Sequence, residues 1–120
     1  MRHFLRSVGY AAQGFGFAVR TERHMKVHLG AAAAVFVLAA LLDLSPLEWA
    51  VLIGVCSLVI AMELMNTAIE KAVDLTMPQR HPLAKTAKDA AAAAVLVTAI
   101  FAVVVGILIL GPPLLETLTR

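Results

Sequence analysis

Charge is scarce in this chain of 120 residues: Asp, Glu, Lys and Arg together make up 15% of it. Apolar residues other than glycine reach 61%. Soluble domains carry roughly 45–50% even with glycine counted. A soluble protein of this size could not cover so much apolar surface with so few charges, whereas a lipid solvent removes the difficulty. Cysteine is nearly absent. Cys56 stands alone, which excludes an intrachain disulfide. Its apolar neighbours make it a small buried hydrophobe rather than a nucleophile. The net charge of +2 is too weak to argue for nucleic acid as a partner. The chain shows no internal repeat and no disordered linker. Its first 26 residues alternate charged and apolar positions, which is not a secretory signal pattern. The length sets one domain at most.

What is present is helical periodicity. Phe4, Leu5, Val8, Ala11, Ala12, Phe15, Ala18 and Val19 recur at helical spacing, with Arg2, Arg6, Gln13 and Arg20 among them. Residues 1–24 are therefore expected to form an amphipathic helix lying in the membrane interface. A first span is expected over 25–43, around the uncharged run from Leu29 to Leu42. That run is about 21 Å long, short of a hydrocarbon core of roughly 30 Å. Snorkelling by Lys26 and His28 extends it. Asp43 to Pro46 is a turn. Ser45 is placed as an N-cap, Pro46 as the first helical residue and Glu48 as the partner in a capping box. The second helix is expected over 46–75, with Trp49 as an interfacial anchor. A loop from Thr76 to Pro82, bracketed by two prolines, leads to a third helix over 83–111, which Gly111, Pro112 and Pro113 are expected to end. The fold class is all-α and integral to the membrane, with one surface helix and three spans.

Arg2, Arg6, Arg20, Arg23 and Lys26 precede the first span, and Lys71, Arg80, Lys85 and Lys88 flank the second loop. The first loop carries Asp43 and Glu48 and no base. Nine of the ten basic residues thus fall on one side, which the positive-inside rule assigns to the cytoplasm. The N-terminus is expected there and the C-terminus outside.

Advancing about 100° per residue from Glu63, the side chains of Asn66, Thr67, Glu70 and Asp74 stay within an arc of about 100°. Three carboxylates and an amide share one stripe. Glu63 lies about 24 Å along the helix, near the cytoplasmic edge of the hydrocarbon. A charge inside a bilayer costs at least about 2.5–3.5 kcal/mol. Such a stripe calls for a cation, a proton or basic partners, which Lys85 and Lys88 at the start of the third helix can supply, with Asp89 beside them on the same broad face. The small residues Ala90 to Ala94 then let helix backbones approach. For Asp74 and Lys71 alone, a solvated helix end is the plainer explanation. For Glu63 it is not, because fourteen uncharged residues precede it.

Phosphoryl transfer fits these parts. It needs a divalent ion across phosphate oxygens, a cation against developing charge and a base for the attacking hydroxyl. Carboxylates seven residues apart can divide two of those tasks, the deeper one taking the proton of a lipid alcohol and the shallower one holding metal. Two other classes stay open: a small proton- or cation-coupled transporter subunit, since membrane carboxylates often serve as ion sites, and a non-enzymatic assembly protein.

Glu63, Asn66, Thr67, Ala68, Ile69, Glu70, Val73 and Asp74, at their spacing, resemble the signature of the prokaryotic diacylglycerol kinase and undecaprenol kinase family. Lys88 and Asp89 before the alanine run resemble its second block, and Tyr10, Gly14 and Glu22 its N-terminal helix. The resemblance covers nearly the whole chain. It implies ATP-dependent phosphorylation of a membrane lipid alcohol by a homotrimer of the bacterial inner membrane, with active sites shared between subunits. It implies Glu63 as general base and Asn66 as an active-site residue. Glu22 and Glu70 become the Mg2+ ligands. Tyr10, Glu22, Glu70, Gln79, Arg80, His81, Lys88 and Asp89 become the ATP-binding positions. Gln79 stands where the diacylglycerol-specific branch often has an acid. Residues Thr21 to His28 are closer to the undecaprenol kinase branch, although His24 replaces its usual asparagine. Undecaprenol is therefore the favoured acceptor and diacylglycerol the second.

His24 and His28 have zinc-compatible spacing without a third ligand, and a structural or interfacial role is expected for them. Gly14 and Gly16 follow no strand, which disfavours a phosphate loop. They are expected to permit close packing or lipid entry.

Overall fold

The computed structural model describes residues 1–119. Four helices follow one another: α1 (Arg2–Thr21), α2 (Arg23–Leu41), α3 (Pro46–Thr76) and α4 (Pro82–Leu118). No strand occurs among the described residues. The molecule measures 59 × 42 × 21 Å, the shape of a thin helical slab. Helices α2, α3 and α4 are long and apolar enough to cross a membrane.

The expected helix over 1–24 stops earlier. Glu22 adopts an extended conformation and serves as both C-cap of α1 and N-cap of α2. Its N–H donates to the Ala18 carbonyl, and its own carbonyl accepts from the N–H of Lys26. Thr21 assists the break by donating its hydroxyl to Phe17 O at 2.9 Å and Glu22 Oε1 at 3.2 Å. One residue thus turns a surface helix into a spanning helix. Phe4, Leu5 and Val8 on α1 cover no protein core, as befits a helix whose apolar stripe meets lipid.

At the opposite end the capping box forms as its residues predict. Glu48 N–H donates to Ser45 Oγ at 3.3 Å, and Ser45 N–H donates to Glu48 Oε2 at 2.7 Å. The core next to this turn is Ala39, Leu52 and Leu110, surrounded by Val35, Phe36, Leu42, Trp49 and Ile109. Phe36 and Trp49 stack with centroids 6.3 Å apart. Helix α4 begins with His81, whose Nδ1 accepts from Leu83 N–H at 3.1 Å, followed by Pro82 in the first turn.

The expected end of α4 at residue 111 is overturned: the helix passes through Pro112 and Pro113 to Leu118. Each proline removes one N–H donor. The later turns keep theirs, with Thr119 N–H donating to the Leu115 carbonyl and Thr117 Oγ1 to the Pro113 carbonyl. Proline's fixed φ is itself compatible with a helical backbone, so the chain can continue past the lost donors.

Helices α3 and α4 form an antiparallel hairpin with the largest interface in the molecule, α2 leans mainly on α3, and α1 touches the bundle lightly. Ala91 and Val95 bury the start of α4 against α3. Beyond them Val97, Ile100, Phe101, Val104, Ile107 and Leu108 remain exposed. A band of large apolar side chains along one long helix is a lipid-facing surface.

Candidate functional site

The polar stripe of α3 descends in burial along its length. Glu63 is 3% exposed, Asn66 8% and Thr67 6%, while Glu70 is half-buried and Asp74 exposed. The same face carries Leu52, Val55 and Val59 earlier in the helix. Glu63 therefore stands where an apolar packing stripe would continue, and the bundle buries it as it buries leucine.

The groups of the stripe differ in their partners. Glu63 Oε2 lies 3.9 Å from His28 Nε2 on α2. Asn66 Nδ2 donates to Glu70 Oε1 at 3.4 Å. Asn66 Oδ1 and Thr67 Oγ1 are buried without a hydrogen-bond partner. Asp74 accepts from Lys88 Nζ and ties α3 to α4. Lys85 turns instead to Asp89 one turn along its own helix, so only Lys88 of the expected basic partners reaches the stripe. Lys71 Nζ pairs with Glu22 Oε1 at 3.3 Å and sits 5.8 Å from the centre of the Phe17 ring. The break at Glu22 is thereby pinned to α3 by a charge pair and a cation–π contact.

Both expected metal ligands are partly exposed carboxylates. In each, the protein contacts fall on Oε1. Oε2 of Glu22 and of Glu70 accepts no hydrogen bond among the described residues, and neither does Asn66 Oδ1. These are hard oxygen donors, the kind that magnesium takes one or two at a time alongside phosphate oxygens. By donor chemistry they suit a magnesium ion that keeps several waters, although no group of three or more His, Cys, Asp or Glu is gathered among the described residues.

A cleft of about 700 Å³ opens between the ends of α3 and α4. Its lining includes Asp74, Gln79, Arg80, His81, Lys85 and Lys88, and its size is that of ligand sites in general. Four of the expected nucleotide positions, Gln79, Arg80, His81 and Lys88, meet there. Tyr10, Glu22, Glu70 and Asp89 do not line it. Tyr10 is 69% exposed midway along α1, where the surface helix has little contact with the bundle. Asp89 faces Lys85.

A second, apolar groove of about 360 Å³ lies between α2, α3 and α4. His28, Ala31, Ala32, Val55, Cys56 and Val59 are among its lining residues. His28 thus joins the groove to Glu63. Sequence reasoning gave His28 only a structural or interfacial role and Lys71 a solvated one. The available signal was a lone imidazole at the head of an uncharged run, whose partner on another helix no spacing rule names. Around Gly9, Gly14 and Gly16 no atom approaches where a Cβ would stand, so packing within this chain does not demand glycine there.

The family model of prokaryotic diacylglycerol kinase matches residues 9–110. An undecaprenol kinase of Bacillus subtilis is 42% identical over 95% of this chain and 93% of its own length. A diacylglycerol kinase of Synechocystis sp. is 47% identical over 95% of this chain and 66% of its own length. A diacylglycerol kinase of Pseudomonas aeruginosa is 39% identical over 78% of this chain and 76% of its own length.

Proposed function

The chain belongs to the prokaryotic diacylglycerol kinase family and is a lipid kinase of the membrane, and from that premise we propose that it transfers the γ-phosphoryl group of ATP to undecaprenol. The observation that carries the chemistry is Glu63: a carboxylate 3% exposed at the lipid end of a polar stripe whose other end opens to water. The acceptor is favoured by the undecaprenol kinase relative, which aligns over nearly its whole length. Diacylglycerol is the second reading, carried by the 47% identical relative. The transporter alternative finds no support in the family or these relatives.

In the reaction, Glu63 takes the proton of the lipid hydroxyl as its oxygen bonds to the γ-phosphorus. The bond from that phosphorus to the bridging oxygen breaks, and ADP leaves with the electron pair. Glu70 and Glu22 would hold magnesium, with Asn66 Nδ2 fixing the Glu70 carboxylate, and the ion when bound would supply positive charge against the phosphates. Lys88 and Arg80 direct cations into the cleft where the triphosphate lies, and Gln79 and His81 face the base. Tyr10 and Asp89 complete the nucleotide site. In one chain Tyr10, Glu22, Glu70 and Asp89 lie outside the cleft, and a homotrimer with sites shared between subunits would bring such groups together. The basic end faces the cytoplasm, by the positive-inside rule, so nucleotide arrives from the cytosol and the C-terminus lies outside.

The test is purified protein in lipid vesicles supplied with radiolabelled ATP, magnesium and either undecaprenol or diacylglycerol. Phosphorylated undecaprenol formed with the higher kcat/KM is the expected result. A preference for diacylglycerol reverses the acceptor assignment, and no labelled lipid with either alcohol overturns the kinase reading.

A further inference from the structure

His28 has no part in that scheme, yet its ring is the one basic group within 4 Å of Glu63 among the described residues. The separation of 3.9 Å between Nε2 and Oε2 exceeds the reach of a direct hydrogen bond, about 3.2 Å for nitrogen to oxygen. The Glu63 side chain is 3% exposed and that of His28 21%. No hydrogen bond to the Glu63 carboxylate is made among the described residues. A carboxylate so buried requires hydrogen-bond donors. Beside it, Asn66 Oδ1 and Thr67 Oγ1 are also buried and unpaired. The surroundings of Glu63 are thus polar, enclosed and unsatisfied within the chain. They are continuous, through His28, with the apolar groove of Ala31, Ala32, Val55 and Val59.

We propose that His28 and Glu63 together form the site for the acceptor hydroxyl, with His28 donating Nε2–H to the alcohol oxygen. An oxygen about 2.8 Å from each of two atoms 3.9 Å apart sees them at roughly 90°, an angle a hydroxyl accommodates. The division of its valences follows. The hydroxyl proton points to Glu63 Oε2, one lone pair accepts from His28, and the remaining lone pair faces the γ-phosphorus. The imidazole keeps its proton throughout, and the hydroxyl proton ends on Glu63. His28 therefore orients the nucleophile. The groove that begins at its ring gives the attached carbon chain an apolar path.

This inference rests on Glu63 as the base of a lipid kinase. Its test is steady-state kinetics of the full chain in vesicles, varying alcohol at saturating ATP and ATP at saturating alcohol. His28→Leu removes the donor. His28→Gln restores one of similar reach. His28→Asn carries a donor too short to arrive and replaces the leucine variant if that one does not fold, judged by its thermal unfolding midpoint. The leucine or asparagine variant is expected to lose about tenfold in kcat/KM for the alcohol, the worth of one buried hydrogen bond, with KM for ATP unchanged. The glutamine variant is expected to recover most of that loss. An alcohol kcat/KM equal to the parent's in the leucine or asparagine variant overturns the proposal. A glutamine variant as impaired as leucine, or a parallel rise in KM for ATP, overturns it as well. A parent that phosphorylates neither alcohol removes the kinase reading and this inference with it, whereas an active parent with an indifferent His28 removes this inference alone.

Discussion

The two halves of α3 bury the same face and fill it with opposite chemistry. From Pro46 to Met62 the inward positions are Leu52, Val55 and Val59; from Glu63 to Thr76 they are Glu63, Asn66 and Thr67, with Glu70 half-buried after them. Helical geometry does not distinguish the halves, since each continues the spacing of three and four residues. The neighbours do. Leu52 packs in a cluster with Ala39 and Leu110 that needs no hydrogen bonds. Glu63 meets His28 across 3.9 Å, and the polar atoms one turn further on are left unpaired. The first half leaves no buried polar atom unpaired on that face among the described residues. The second half retains unused hydrogen-bonding capacity, which is what a site for an incoming hydroxyl and phosphate requires.

Breaking the second half at its deepest point has the largest expected effect. Glu63→Gln keeps size and shape and removes the base. Its phosphorylation rate is expected to fall by about 10²-fold or more. The thermal unfolding midpoint should not fall, because a buried charge without hydrogen bonds has been removed. Full turnover in this variant would disprove the base assignment.

Breaking the first half acts on stability instead. Leu52→Ala empties a side chain that is 1% exposed. Large-to-small changes of this kind cost about 2–5 kcal/mol in soluble cores. The lower end, about 2 kcal/mol, is expected here, because lipid gives little hydrophobic drive for one helix to leave it for another. Unfolding in detergent measures the loss, and the KM for ATP of the remaining folded protein should stay at the parent's.

Glu70→Gln sharpens the contrast between base and metal ligand. It retains an acceptor for Asn66 and loses the negative charge. The magnesium concentration for half-maximal rate should rise about tenfold, a loss of about 1.4 kcal/mol. A magnesium titration unchanged from the parent's would remove Glu70 from the metal site. The smallest effect is expected at the wet end of the stripe. Asp74 is exposed and its pair with Lys88 is solvated, so Asp74→Asn should leave the unfolding midpoint close to that of the parent.

Much of this was legible beforehand where a local rule applied. Ser45, Pro46 and Glu48 spell a capping box, and the box forms. The spacing from Glu63 to Asp74 implies one stripe, and the stripe descends from buried to exposed along the helix. The failures fall where a local rule met a tertiary one. The break at Glu22 carries no proline or glycine. It arises as the chain leaves the surface helix and enters a span, and Lys71 of α3 pins it. The two prolines near residue 112 read as a stop, but the turns after them keep their hydrogen bonds and the helix continues.

By itself, then, the sequence determined the helices, their apolar faces and the alignment of Glu63, Asn66 and Glu70, because helical periodicity depends only on neighbours along the chain. Only the tertiary structure decided that His28 stands beside Glu63, that Lys71 holds Glu22, and that Lys88 rather than Lys85 reaches Asp74. Those contacts join different helices, and the packing that sets them depends on the shapes of both faces at once.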